Sequence, residues 1–67
     1  MILIVNTRKK EYPEGMTLLE LIATMGPEMN DPRGVLCALN GTLVNPPYDY
    51  VLSEMDEIRI FPIPEGG

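Results

Sequence analysis

Apolar residues occupy both sides of the chain's opening stretch. Met1, Leu3 and Val5 fall on one side of an extended backbone and Ile2, Ile4 and Asn6 on the other, because successive strand side chains point to opposite faces. Such a stretch suits an interior strand, one face lying on a helix and the other partly kept for a partner. Thr7-Arg8-Lys9-Lys10 reads as a polar turn, and Glu11 to Pro13 as a short antiparallel return. Thr17-Leu18-Leu19-Glu20 has the form of a capping box, a Thr hydroxyl for the N3 amide and a Glu reaching back. Leu18, Leu21, Ile22 and Met25 then recur at helical spacing with Leu19 at the margin, and Gly26-Pro27 supplies a stop. This predicts one helix of about three turns. Its apolar face is the lid of the sheet.

Glu28 to Gly34 has turn residues and no periodicity, so a surface loop is expected. Val35 to Asn40 is an apolar run, and Asn40-Gly41 is a hairpin signal, since both central residues of a type I′ turn need positive φ. Thr42 to Val44 returns, Asn45-Pro46-Pro47 breaks the strand, and Tyr48 to Leu52 crosses over as an irregular or short helical segment. Ser53 to Asp56 makes the last turn. Glu57 to Phe61 alternates again, Ile58 and Ile60 to one side, Arg59 and Phe61 to the other. Pro62 halts this run and Pro64 forbids a regular ladder, so residues 62–67 form a projecting tail on a domain of residues 1–61. The fold class is α+β, a mixed sheet of four to five strands packed on one helix.

Composition narrows the functions open to such a domain. A 67-residue chain has a small core with little slack. One cysteine, no histidine and no apolar run of membrane length point to a soluble protein of a reducing compartment, with the cytoplasm as the default. Ten acidic against five basic side chains give a net charge of −5, which disfavours nucleic acid and anionic membranes and favours a protein partner with a basic dock. The cations Arg8, Lys9 and Lys10 read as a solvated hairpin tip. With no histidine and a single cysteine, no metal site can be built, and phosphate-binding glycine motifs are missing.

The candidate chemistry lies at the end of the chain. Gly66-Gly67 adds nothing to stability, because glycine gives up the most freedom on ordering. Without Cβ atoms it can thread a narrow channel and deliver the ionised carboxylate of Gly67 into another protein's active site, followed by Glu65 and Pro64. The plain alternative is a frayed end. Cys37, inside the run Val35 to Leu39, reads as a small buried hydrophobe, with a sulfur relay as the other reading. Glu54, Asp56 and Glu57 read as solvated turn acids rather than a catalytic carboxylate pair.

Strand, hairpin, strand, one helix, hairpin and a last strand entering Gly-Gly resembles the β-grasp fold of the ubiquitin-like sulfur carriers, the ThiS/MoaD family. The resemblance covers essentially the whole chain, through Met1 to Asn6, Glu14-Gly15-Met16-Thr17 before Leu18 to Ile22, Ala38-Leu39-Asn40-Gly41, and Leu52 through Asp56-Glu57-Ile58 to Gly66-Gly67. Met55 stands where that family usually has Gly before an acidic residue. Phe61-Pro62-Ile63-Pro64 looks more like the molybdopterin carriers and the first half more like the thiamine carriers.

The resemblance implies a protein cosubstrate and not an enzyme, or a synthase subunit if the molybdopterin type applies. A ubiquitin-activating-type enzyme would adenylate the Gly67 carboxylate with its own ATP, and a sulfur donor would convert it to a thiocarboxylate. Thiazole synthase or the molybdopterin synthase large subunit would then receive the sulfur. No cofactor would be bound by the carrier itself. Six tail residues at about 3.3 Å each reach roughly 20 Å, so the body's task is docking. By strand parity Phe61, Arg59 and Ile4 are the docking candidates, making an apolar patch beside the root of the tail. Two other readings stand beside this one: a ubiquitin-like modifier joined to lysines, and a β-grasp interaction module with an inert tail.

Overall fold

The computed structural model describes residues 1–25 and 34–63, and its first turn is tighter than the charge pattern suggests. Strand β1 (Ile2–Val5) pairs antiparallel with β2 (Arg8–Glu11), from Ile2 opposite Glu11 to Val5 opposite Arg8. The turn is therefore Asn6-Thr7, and Arg8, Lys9 and Lys10 lie in the return strand instead of the turn. Asn6 at φ 49° and Thr7 at φ 72° are both left-handed, as a two-residue hairpin requires, and asparagine adopts that region more readily than most residues. A strand of Arg, Lys, Lys and Glu at the rim of the sheet also discourages pairing with another chain.

The helix α1 (Leu18–Ala23) is shorter than the three turns expected. Thr17 and Glu20 form the anticipated capping box: the Glu20 amide donates to Thr17 Oγ1 at 3.2 Å and the Thr17 amide to Glu20 Oε1 at 2.8 Å. Two further N-terminal amides, of Leu18 and Leu19, donate to the carbonyls of Tyr50 and Tyr48 at 2.9 and 2.6 Å. The crossover is irregular because its carbonyls serve the start of the helix. At the other end Thr24 Oγ1 donates back to the Leu21 carbonyl at 2.7 Å. Its amide does the same at 3.0 Å, so the last turn tightens into i→i−3 bonds and the helix stops. The expected stop at Gly26-Pro27 and the loop from Glu28 to Arg33 lie outside the described residues.

Strand β3 (Val35–Leu39) turns through Asn40 and Gly41, at φ 51° and 85°, into β4 (Thr42–Val44), as the Asn-Gly pair predicted. The last strand, β5 (Glu57–Pro62), is parallel to β1 and antiparallel to β3. Among the described residues the five strands form one sheet in the order β2-β1-β5-β3-β4, so the strand that ends the body is also its centre. Leu3 and Val5 of β1, Val35 and Cys37 of β3, and Ile58 and Ile60 of β5 are buried with Leu18, Leu21 and Ile22 of the helix. Tyr48 and Leu52 of the crossover complete the core, and the Tyr48 hydroxyl donates to the Val35 carbonyl at 3.2 Å.

The turn before β5 is pinned from three sides. The Ser53 amide donates to Asp56 Oδ2 at 2.8 Å and Asn40 Nδ2 to Asp56 Oδ1 at 3.0 Å, while the Glu57 amide donates to Asn40 Oδ1 at 2.9 Å. The Ile2 amide donates to Glu54 Oε1 at 2.8 Å, and the Met55 amide to the Ile2 carbonyl at 2.6 Å. These bonds hold Met55 at φ 66°, a region that disfavours an L side chain by roughly 1–2 kcal/mol. Replacing Met55 with Gly removes that strain at a half-exposed position. Met55→Gly is expected to raise stability by about 1 kcal/mol, read as a higher urea midpoint with unchanged slope. A lower midpoint would mean that the methionine side chain contributes more than its backbone costs.

Candidate functional site: the open face and the exit of the last strand

Each backbone group of β5 has a direction. Residues 57, 59, 61 and 63 turn their amides and carbonyls toward β3: the Asn40 amide donates to the Glu57 carbonyl at 2.7 Å and the Ile63 amide to the Gly34 carbonyl at 2.8 Å. Residues 58, 60 and 62 turn theirs toward β1, where the Asn6 amide donates to the Ile58 carbonyl at 2.9 Å. Pro62 thus lacks its N–H on the side where β1 has already turned away, and no ladder bond is lost. This is why the strand runs through Pro62 instead of halting at it, and why pairing with β3 still holds Ile63. Pro64, Glu65, Gly66 and Gly67 lie outside the described residues.

The side chains divide the same strand by parity. Ile58 and Ile60 are buried under the helix, whereas Arg59 and Phe61 stand on the opposite, open face with Phe61 44% exposed. Leu36 lies directly across from Phe61 and is 45% exposed. Ala38 lies between Arg59 on one side and Leu43, 67% exposed, on the other. Ile4 shares this face but sits opposite Glu57, at the far end of β5 from Phe61. The patch near the exit of the strand is therefore Phe61, Leu36 and Leu43 around Arg59. Ile4 lies apart from it, because β1 is parallel to β5 and reaches only its first half.

Leu36 and Leu43 escaped the sequence reading. The run Val35 to Leu39 shows no faces by itself, but the hairpin at Asn40-Gly41 fixes Ala38 opposite Leu43 and so puts Leu36 and Leu43 on one side. That register was the available signal.

Cys37 is enclosed, and Glu54 and Asp56 are occupied. Cys37 is fully buried, and burial pushes its thiol above the ordinary value of 9.0, with the Tyr48 hydroxyl beside it acting the other way. A protonated thiol shut in the core behaves as a small hydrophobe and gives no nucleophile. Glu54 and Asp56 accept backbone and Asn40 hydrogen bonds, so they fasten a turn instead of forming a reactive pair. A cleft of about 440 Å³ lined by Val5, Asn6, Arg8, Lys10, Tyr12 and Met25 opens on the helix side, across the sheet from Phe61. No described helix is long and apolar enough to cross a membrane.

The model of the ThiS family matches residues 3–67, from the first strand to the terminal glycine. The chain belongs to the ThiS family. A comparison with curated proteins gave no match. ThiS-family proteins are small sulfur carriers that work with an adenylating enzyme and a synthase. The five-stranded mixed sheet over a short helix is their β-grasp fold. In this ThiS-family carrier the body supplies an exposed apolar face beside the exit of its central strand, and its one thiol is withdrawn into the core.

The buried thiol leaves a mark on stability. The folded state holds the Cys37 proton more tightly than the unfolded chain, so this contribution is whole below the ordinary thiol value of 9.0 and is lost as pH rises through the folded value. Burial likewise raises Tyr48 from 10.0, which adds a second loss at higher pH. Cys37→Ala is expected to cost about 1 kcal/mol at neutral pH and to flatten the decline in urea midpoint as pH rises above the ordinary thiol value of 9.0. An unchanged alkaline slope in the variant would mean that the thiol titrates alike in both states.

Proposed function

We propose that this carrier is adenylated on the carboxylate of Gly67, converted there to a thiocarboxylate, and spent as the sulfur donor for the thiazole of thiamine or for molybdopterin. The observation that carries the reading is the family match running through Gly66 and Gly67, taken with a central strand that leads the chain toward them. A carboxylate acylates poorly until its oxygen has a good leaving group. Attack of the Gly67 oxygen on the α-phosphorus of the partner's ATP expels pyrophosphate and provides one. A sulfur nucleophile then adds to the acyl carbon and AMP departs, leaving sulfur where oxygen was. The carrier contributes no acid or base to these steps; the activating enzyme does.

What the carrier's own residues contribute is delivery. Gly66 and Gly67 carry no Cβ, so they fit a channel that excludes every other residue, with Glu65 and Pro64 following. Phe61, Leu36 and Leu43 form the apolar centre of the docking face and Arg59 its charged member, while Ile4, on the same side of the sheet, lies apart from this patch. An aromatic and an arginine at the centre of a patch are the residue types on which binding energy most often concentrates.

Pyrophosphate exchange with ATP, catalysed by the host's adenylating enzymes in the presence of the carrier, tests both parts. The chain as it stands is expected to support exchange, and the same chain with one Ala appended after Gly67 to support none. Phe61→Ala is expected to raise the KM for the carrier about tenfold with little change in kcat, the signature of lost uniform binding. Exchange that persists with the appended Ala would contradict the assignment of Gly67.

A further inference from the structure

Strand β5 outlasts its neighbour. On the side facing β1 it presents Ile58, then Ile60, then Pro62. Ile58 still meets backbone, the Asn6 amide at 2.9 Å, but there the chain enters its left-handed turn, Asn6 at φ 49° and Thr7 at φ 72°. The amide and carbonyl of Ile60 consequently face no strand. One side chain satisfies both: Asn6 Oδ1 accepts from the Ile60 amide at 2.8 Å, and Asn6 Nδ2 donates to the Ile60 carbonyl at 3.1 Å. A carboxamide has the donor and acceptor of a peptide group at its own spacing, so Asn6 serves as a short piece of strand after the strand has ended. Pro62, next on this edge, has no N–H to be held. Asn6 is therefore the last restraint on the β1 edge of β5 among the described residues.

We infer that Asn6 is a positioning residue for the carrier's reaction: its carboxamide pair with Ile60 steadies the β1 edge of a strand that is held beyond this point, as far as Ile63, by the β3 edge alone, and so bears on the delivery of Gly67 to the activating enzyme. This rests on the carrier reading above. The role needs asparagine twice over. The backbone must accept positive φ, and the side chain must both donate and accept within reach of Ile60. Glycine meets only the first demand. Aspartate can hold the turn and accept from the Ile60 amide, but its carboxylate faces the Ile60 carbonyl without a proton to offer. Glutamine has the amide on a stem one methylene longer. Phe61, Leu36 and Leu43, the apolar centre of the docking face, are held by the β3 edge.

The test pairs a kinetic readout with a structural one on the full chain. Asn6→Gly keeps the turn and removes the clamp. It is expected to lower kcat for carrier-dependent pyrophosphate exchange about tenfold, less than the roughly hundredfold loss that a misplacement of about 1 Å can cause, while KM for the carrier stays within about twofold. Hydrogen exchange at the Ile60 amide is expected to quicken while core amides such as that of Ile22 keep their protection. Asn6→Asp should fall between Asn6→Gly and the unaltered chain, and it carries the test if the glycine variant does not fold. Faster Ile60 exchange with kcat undiminished would overturn the role assigned to Asn6. Absence of pyrophosphate exchange with the unaltered chain would instead count against the carrier reading, and Ile60 exchange would still report whether the clamp exists.

Discussion

The structure depends on the central strand's being partnered along both edges although its two neighbours differ in length and direction. Buried backbone N–H and C=O groups cannot be left without partners. On the β3 edge an antiparallel ladder supplies them from Asn40 to Gly34. On the β1 edge a parallel ladder runs out at Asn6, and a side-chain amide followed by a proline covers what remains. A single strand is thus both the floor of the core, through Ile58 and Ile60, and the base from which the chain's end departs.

The same strand divides the body chemically. Its helix side is filled by aliphatic side chains, each contributing roughly 1.5–3 kcal/mol when fully buried, and by a thiol held in the protonated state. Its other side keeps Phe61, Leu36 and Leu43 in water, which a domain this small would not gain from by itself. On the proposed function that apolar exposure beside the strand exit serves docking. Among the described residues the side chains of Thr17, Glu20, Asn40, Glu54 and Asp56 are held in caps and turns, those of Thr24 and Tyr48 donate to backbone carbonyls, and that of Asn6 pairs with Ile60.

Much of this could be read from the residues alone, and where it could not the reasons are local. Alternation in Glu57 to Phe61 put Ile58 and Ile60 inside and Phe61 outside, because a period of two leaves no other choice once one face is buried. Asn40-Gly41 placed the second hairpin. The first was misplaced by two residues, since the charges of Arg8 to Lys10 resemble a turn while the backbone freedom of Asn6 decides one. The helix was read too long because Met25 fits the periodicity, but Thr24 bonds back to Leu21 and closes it. Which residues neighbour one another across strands, as Leu36 and Phe61 do and Ile4 and Phe61 do not, depends on register and strand direction, and these are properties of the assembled sheet. The amide of Asn6 could not have been matched to Ile60, 54 residues away, from spacing of any kind.

On the proposed function the carrier's chemistry takes place wholly at Gly67. The most direct measurement is the intact mass of the protein, with the altered residue located by fragmentation, after incubation with its activating enzyme, ATP and a sulfide source. One oxygen replaced by one sulfur, confined to the carboxyl of Gly67, is the result expected. Sulfur found on Cys37, or a mass unchanged while ATP is consumed, would contradict it.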